Sequence, residues 1–555
     1  MTPVKISLTP GGRLAIQAPL TVNPILKQLG ATWYRPGRCW TLPGTPAAAE
    51  SLSRALRAAR LWNPETVPAA VHALIEQAAA RAGDYPARTP ARTALSPWAH
   101  QAAAYSFASS RPAALLDLAP GTGKTKVAVD LFVNDCPEGA IGLVLCPLSV
   151  VRDVWERQVP IHSGDPNLVV VALDRGTVAQ RTKQAEASIK VARAAGCRLL
   201  LVINYESAWR EPFATMVERH EWDLMVLDES HRIKSPTGKI SKFARSAMRR
   251  ARRRLCLTGT PAPHSPLDLW AQLDALEPGL VQPTFHAFRS QYAIMGGFEG
   301  KQVVAFRDLE NLRARMKPVY FKVGNEVLDL PAVMHERRTC KLPAPARKIY
   351  DHLRDDLYAY IDGDEMSIST ALEKILRLQQ LTSGFYKPDG EEQLKQLHTA
   401  KIDLLQELLE DLPRDEPVVV FARFLADLDA VAQVAERVKR PAYELSGRRR
   451  ELEAWKQAGG GEVLAAQIQA GGVGIDLTRA RYCVYMSTGY SLGDYIQSLA
   501  RVHRPGQERP VVFYHLVTED TIDEQVYDAL SRKEDVVAAV VGRVGVGYDA
   551  GLQRV

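Results

Sequence analysis

The chain has no C-x-x-C pair, and its seven cysteines (Cys39, Cys136, Cys146, Cys197, Cys256, Cys340 and Cys483) stand singly, without matching histidine spacing. Neither a zinc site nor a disulfide framework is indicated, so a reduced compartment is the default. No stretch approaches the roughly 18 uninterrupted apolar residues of a membrane span, and the opening MTPVKISLTPGG lacks a signal-peptide core. Secreted and membrane-spanning proteins are not expected. Short-period repeats are also missing. Neither sign of charge dominates: 70 Lys and Arg against 63 Asp and Glu give +7, a mild lean toward polyanions that decides nothing alone. What is present is an ordinary folded composition, 46% hydrophobic and 24% charged, on 555 residues, too long for one small module.

Residues 1–62 read as two alternating hairpins, each followed by a helix. Val4–Leu8 and Arg13–Ala18 flank Gly11-Gly12, and Ala31–Tyr34 and Cys39–Leu42 flank Arg35-Pro36-Gly37-Arg38, the pattern of a small α+β domain. Residues 63–94 are Ala-rich with scattered prolines and read as a connector. From Pro97 to about Pro278, short apolar runs (Ala114–Leu118, Gly142–Cys146, Leu168–Ala172, Leu199–Ile203, Leu224–Leu227, Leu255–Leu257) alternate with helical segments, as a parallel sheet covered on both faces requires. A mostly helical stretch, about Phe285–Leu412, is expected next. The strand pattern resumes at Val418–Phe421, Val463–Gln467, Tyr482–Met486 and Val511–Leu516. The expected class is α/β: one lobe over 95–333, a helical insertion with a second lobe over 334–535, and a tail over 536–555.

Directly after the run Ala114–Leu118 comes Ala119-Pro120-Gly121-Thr122-Gly123-Lys124-Thr125, followed by a helical pattern. Glycines here let backbone N–H groups wrap phosphate oxygens at a helix N-terminus. Lys124 would neutralise the terminal phosphates, and the Thr125 hydroxyl would face Mg²⁺. The first glycine of the usual spacing is replaced by Leu118. At the end of Leu224–Leu227 stand Asp228 and Glu229, one to hold Mg²⁺ and one to polarise the attacking water. Gln101, in a helix ahead of the loop strand, carries an amide suited to an adenine edge, which favours ATP.

A kinase or GTPase would also use such a loop, so the second half must discriminate. In QSLARVHRPGQ (497–507), Gln497, Arg501 and Arg504 are spaced for one helix face; the arginines would reach a γ-phosphate, or they form a solvated cationic face. At this point the sequence resembles the Swi/Snf family of superfamily-two helicase-like ATPases. The matching segments run in family order: Gln101, APGTGKT at 119–125, LVLCPLSVVRDVW at 143–155, INYES at 203–207, DESHRIKS at 228–235, LTGTP at 257–261 with DLW at 268–270, IQAGGVGIDLT at 468–478, and QSLARVHRPGQ. The likeness covers roughly 95–530.

The resemblance implies two tandem RecA-like P-loop lobes with helical insertions behind the small α+β domain. It also implies a DNA-stimulated ATPase that translocates along duplex DNA, ATP lying between the lobes. Lys124, Asp228, Glu229, Arg501 and Arg504 would be catalytic. Gln101, Gly121, Thr122, Gly123, Lys124, Thr125, Gly474 and Asp476 would bind ATP, with Thr125 and Asp228 on Mg²⁺. Pro147, Ser149, Asn204, Lys234, Thr258, Thr260, Ser446, Gly447, Gln469 and Gly471 would meet nucleic acid, Thr258 and Thr260 also coupling the lobes. Departures from the family pattern are Ser230, His264, Asp476 and Phe321–Gly324, which lacks a frequent arginine pair.

Two further basic segments invite polyanion contact. Arg245–Arg254 is the densest charge run, as a helix-end cluster either on phosphates or facing solvent. LGATWYRPGRCWTLP (29–43) interleaves Trp33, Tyr34 and Trp40 with Arg35 and Arg38, suited to stacking on bases, or simply to the core of a small domain. This stretch resembles the HARP-type module of annealing helicases, which implies recognition of branched DNA. The expected activity is an ATP-dependent double-stranded DNA translocase that remodels branched DNA or DNA–protein complexes. Its partners would be DNA and replication, repair or transcription proteins, in a cytoplasmic, nucleoid-associated setting. A strand-separating helicase and an RNA-polymerase-recycling ATPase are the alternatives.

Overall fold

The computed structural model describes residues 4–82, 85–296, 302–363, 368–386, 394–469 and 475–530. One compact unit runs to Val327 and a second begins at Leu328. The expected tail, 536–555, lies outside the described residues.

In the first unit, β1 (Lys5–Leu8), β2 (Arg13–Gln17), β3 (Thr32–Tyr34) and β4 (Cys39–Pro43) form an antiparallel sheet in the order β1-β2-β4-β3. Alternation sets its sidedness: Ile6, Leu14, Ile16, Trp40 and Leu42 enter one core, while Lys5, Ser7 and Arg13 stay exposed. Helix α1 (Asn23–Gln28) follows the first hairpin, and α2 (Pro46–Ala58) the second. α2 starts where Thr45 accepts the Ala48 N–H at 3.3 Å and Pro46 occupies the first turn, and it buries Leu52 and Leu56. The expected connector is in part core: Val67 and Val71 are buried in this domain, and α3 (Ala69–Ala82) packs on α2. Exposed Ala69, Ala70, Ala73, Ala79 and Ala80 dilute the apolar pattern of Val71, Leu74 and Ile75, the residues that carry the packing.

The small domain is locked onto the following lobe through Glu277. This buried carboxylate accepts the Ala47 N–H of α2 at 2.9 Å and an Arg81 N–H at 2.8 Å. Beside it, Thr45 donates to the Pro278 carbonyl at 2.7 Å. Gly279, at φ +91°, lets the backbone approach so closely that a Cβ there would stand 2.8 Å from the Ala48 side chain.

The lobe itself is a seven-stranded parallel sheet built from β5 (Ala113–Leu118), β6 (Ile141–Cys146), β7 (Leu168–Leu173), β8 (Arg198–Asn204), β9 (Trp222–Asp228) and β10 (Ala251–Thr258), with one strand more than expected. Between them, α4 (Ala99–Ser109) precedes β5 and α5 (Lys124–Asp135) follows it. β5, β6 and β8 are buried at every position, as burial on both faces demands.

The stretch expected to be helical holds strands that sequence patterning did not show: a hairpin of β11 (Ala293–Gly296) and β12 (Gln302–Phe306), then β13 (Tyr320–Val323) and β14 (Val333–Cys340). β13 is the seventh strand and gives the order β13-β5-β10-β9-β6-β8-β7. After a two-residue pairing of β15 (Phe385–Tyr386) with β16 (Lys395–Gln396), the second unit continues with β17 (Val418–Ala422), β18 (Ala442–Leu445), β19 (Val463–Gln467), β20 (Tyr482–Tyr485) and β21 (Val511–Thr518). These complete a parallel sheet in the order β14-β21-β20-β17-β19-β18. β14 and β18 are its edge strands; β14 alternates exposed and half-buried residues, so no apolar run announces it. β14 draws the start of the second unit ahead of the boundary expected at 333/334. All-parallel sheets with helices in both units define the α/β class.

Candidate nucleotide site and nucleic-acid surfaces

β5 delivers the phosphate loop to α5. Gly121 and Gly123 both sit at φ +86°, the left-handed region that glycine enters freely, and a Cβ on Gly123 would stand 2.3 Å from Gln101 Nε2. α4 braces the loop from above: His100 Nε2 and Gln101 Nε2 donate to the Thr122 carbonyl at 2.9 and 3.0 Å, and Thr122 Oγ1 donates to the Ala119 carbonyl at 2.6 Å. Burial pushes the His100 pKa below its usual value, the Thr122 contact opposing. Gln101 Oε1 accepts the Trp98 N–H at 3.0 Å, so one N–H and one lone pair of its amide remain for an adenine edge. Lys124 Nζ donates to the Leu118 carbonyl at 3.1 Å. Thr125 lies in the first turn of α5.

The acidic pair stands at the end of β9, two strands away in the same sheet; β10 lies between, Leu257 pairing both Leu116 and Asp228. Asp228 is buried. Its Oδ2 accepts the Trp155 indole N–H at 2.9 Å, its Oδ1 the Glu229 N–H at 3.1 Å, and its backbone carbonyl the Tyr205 hydroxyl at 2.9 Å. Burial, then the neighbouring Glu229 charge, raises Asp228 to about 6. Burial opposes ionisation of Glu229 too, but the His231 hydrogen bond and the Lys124 charge hold it below the usual carboxylate value. Glu229 takes a left-handed backbone, φ 52°, ψ 53°, which turns its carboxylate back toward His231, with Oε2 at 3.4 Å from Nδ1. The same Nδ1 lies 3.3 Å from Thr258 Oγ1, which accepts the Thr260 N–H at 3.0 Å. Trp155, Tyr205 and His231 were inside quoted motifs, yet no local pattern told that they orient the acids.

Mg²⁺ takes oxygen ligands and is commonly held by one or two carboxylates together with substrate phosphates. A Thr125 hydroxyl and an Asp228 carboxylate with lone pairs to spare fit that chemistry. No cluster of three or more His, Cys, Asp or Glu suited to a metal occurs among the described residues.

In the second unit, helix Leu492–Val502 carries Arg501, which is buried; burial lowers its pKa to about 10, and Nη2 donates to the Ile468 carbonyl at 3.5 Å. The helix ends at Val502, so Arg504 does not share a face with Gln497 and Arg501 as expected; it sits in the turn beyond and donates to the Ile475 carbonyl at 3.3 Å. Asp476 accepts Thr478 N–H and O–H at 2.9 and 2.7 Å; those bonds and the Arg504 charge outweigh its partial burial and lower its pKa. Gln507 bonds the Thr478 and Ala480 carbonyls, both at 2.9 Å. Gly471 and Gly474 lie outside the described residues.

Several expected nucleic-acid residues face inward. Thr258 and Thr260 are buried and belong to the acid-pair network, and Pro147 is buried at the end of β6. Asn204 is buried, taking Arg181 at 3.0 Å and donating to Glu206 at 2.9 Å. Ser446 is buried, donating to Glu444 and accepting the Arg448 N–H at 3.0 Å. Trp40 is a core residue whose indole N–H donates to Asn23 at 2.9 Å. Thr258, Asn204 and Ser446 spend their polar groups on neighbouring partners, as short polar side chains near a backbone bend commonly do, and Trp40 spends its indole N–H on Asn23. Ser149, Gly447 and Gln469 are exposed, and Lys234 Nζ donates to His264 Nε2 at 2.6 Å. Trp33 (49% exposed), Tyr34, Arg35 and Arg38 project from β3 and its turn into solvent. The Arg245–Arg254 run straddles a helix end and β10 rather than forming one helix-end cluster: Arg245 and Arg249 pair with Asp274, Arg252 with Asp223 and Arg253 with Asp135.

The SNF2-related domain family matches residues 72–385, and the helicase conserved C-terminal domain matches 400–506. The first match spans more than half of the chain, and the chain belongs to this family of helicase-like ATPases. Protein p41 of Acyrthosiphon pisum secondary endosymbiont phage 1 is 25% identical over 437 residues, 75% of this chain and 91% of that protein. DNA excision repair protein ERCC-6 of Homo sapiens is 24% identical over 418 residues, 69% of this chain and 27% of that one. The Drosophila melanogaster SWI/SNF-related matrix-associated actin-dependent regulator of chromatin subfamily A-like protein 1 is 24% identical over 450 residues, 76% and 52% respectively. The chain thus spans most of the phage protein but about a quarter and about half of these two cellular relatives. Among solved structures, the Sulfolobus solfataricus SWI2/SNF2 ATPase core in complex with dsDNA is 21% identical, covering 82% of this chain and 96% of that one at a TM-score of 0.38. No helix among the described residues is long and apolar enough to cross a membrane.

Proposed function

We propose that the chain is an ATP-dependent double-stranded DNA translocase that remodels branched DNA or DNA–protein complexes in replication, recombination or repair. The observation that carries this reading is that the carboxyl ends of β5 and β9 in one parallel sheet bear a glycine-rich phosphate loop with Lys124 and the Asp228-Glu229 pair, the latter linked through His231 to Thr258 and Thr260. In that reading Gly121–Thr125 bind the triphosphate, Thr125 and Asp228 hold Mg²⁺, and Glu229 orients the attacking water. The His231 contact keeps Glu229 ionised for that task. Bound Mg²⁺ would neutralise charge on the phosphate oxygens. Arg501 and Arg504 are assigned the transition-state charge, a role worth on the order of 10³–10⁵ in rate in related NTPases.

The small domain is assigned to DNA structure. Residues 1–62 contain eight Lys or Arg and one acidic residue, Glu50, so this domain accounts for the entire +7 of the chain. Exposed Trp33, Tyr34, Arg35 and Arg38 supply ring faces and phosphate partners. The Glu277 lock fixes them to the ATP-binding lobe. The test is the ATPase rate without nucleic acid and with single-stranded DNA, duplex, fork and RNA at fixed salt, beside displacement of a third strand from a triplex. Stimulation by duplex and fork with triplex displacement is expected. Turnover indifferent to DNA refutes the reading, and processive unwinding of a tailed duplex shifts it to a strand-separating helicase.

A further inference from the structure

The start of α4 holds an aromatic side chain that the site described above does not use. Trp98 is 49% exposed, whereas Trp155, Trp222 and Trp455 are fully buried. Its indole tilts against the His100 ring with centroids 5.5 Å apart, and the Trp98 backbone N–H donates to Gln101 Oε1 at 3.0 Å. His100 and Gln101 both grip the Thr122 carbonyl inside the phosphate loop. One ring contact through His100 and one backbone bond through Gln101 therefore hold Trp98, with its half-exposed indole, beside the rim of the triphosphate cradle. Single exposed apolar side chains are common and need no explanation. This one differs in standing three residues before an amide that keeps one N–H and one lone pair free.

We propose that Trp98 is the wall on which the base of the bound nucleotide stacks, an inference that rests on the ATPase reading. The two side chains divide the work. An amide offers a donor and an acceptor in one plane, matching N7 and the N6 amino group of adenine, whereas guanine shows acceptors at both places. Gln101 thereby discriminates bases in the plane, and the indole covers the face of the ring, adding affinity that any purine enjoys. Ala at 98 strips the wall but leaves the backbone N–H that holds Gln101, so base stacking can be removed without removing base reading.

The experiment uses the full-length chain with saturating duplex DNA, comparing native protein with W98A, W98F and K124A. ATP and GTP are the substrates, and inorganic tripolyphosphate is a competitor that has no base. W98A is expected to raise the KM for ATP and for GTP by a common factor of about tenfold, the scale of one base–aromatic stack. The effect falls mainly on KM rather than kcat, W98F recovers most of it, and the inhibition constant of tripolyphosphate stays at the native value. Adding ATP should also quench part of the tryptophan emission, and that part should be missing in W98F. A W98A KM for ATP within twofold of native overturns the proposal. So does a tripolyphosphate constant that worsens in step with KM, since that reports a loosened α4. Failure of the ATPase reading shows separately, as K124A turning over like native protein.

Discussion

Replacing Glu277 by Ala tests how firmly the small domain is built into the ATP-binding lobe. The carboxylate is 2% exposed as a side chain and its partner Arg81 11%, so solvent screens the pair little. The substitution strands the Arg81 guanidinium and leaves the Ala47 N–H at the first turn of α2 without its acceptor. Arg254, itself largely buried with a pKa lowered by that burial, also loses the one anion raising it. Breaking a buried pair from one side costs about 3–5 kcal/mol. At roughly 2 °C per kcal/mol for a large domain, the melting temperature of the first unit should fall by roughly 8 °C. Glu277→Gln, which can still accept from Ala47, should lose about half of that. Differential scanning fluorimetry reads both, and limited proteolysis should show new cleavage between the small domain and α4. An E277A shift under about 2 °C, with the protease pattern unchanged, would mean that the lock contributes almost nothing and the argument from burial is wrong.

Lys124→Ala should cut kcat by at least about a hundredfold while a fork-DNA binding isotherm stays native; equal losses of both would place Lys124 in the fold rather than the chemistry. Arg501→Ala should lower kcat by about a thousandfold or more with ATP affinity retained, and a loss confined to KM would remove Arg501 from the transition state. The double charge reversal Arg35→Glu and Arg38→Glu should weaken fork binding and reduce the slope of log K against log salt by about 2, one for each phosphate contact, as fluorescence anisotropy at several salt concentrations would show. His515, stacked on Tyr485 and bonded to His335 and Tyr527, has its pKa lowered to about 3 by burial first and by the His335 and Arg337 charges next. Because its pKa is depressed in the fold, the unfolded chain takes up the proton first, and stability present above pH 6.5 is lost as pH falls. At pH 5 the His515 share of the loss is about 2 kcal/mol, so urea denaturation at matched ionic strength should show a loss smaller by that amount in H515Q than in native protein; identical pH slopes would contradict it.

The features readable along the chain are those whose chemistry is local. A phosphate loop needs its glycines, lysine and threonine in succession, and a strand buried on both faces needs a continuous apolar run. Gly121–Thr125, Asp228-Glu229 and the β5, β6 and β8 runs therefore announce themselves in sequence and lie at the expected places. Edge strands such as β14 need no apolar run and stayed hidden, as did the packing of α3 through Val71, Leu74 and Ile75, whose neighbours are exposed alanines. Which polar side chains turn inward was equally hidden. Trp33 and Trp40 are alike in composition, yet one is half exposed and the other is core, because cross-strand pairing puts Trp40 on the inner strand and Trp33 at the sheet edge. Glu277 meets α2 more than two hundred positions away, and Trp155 meets Asp228 across the sheet. Burial and hydrogen-bond satisfaction are settled between residues far apart in the chain, so those roles emerge only once the strands are ordered and packed.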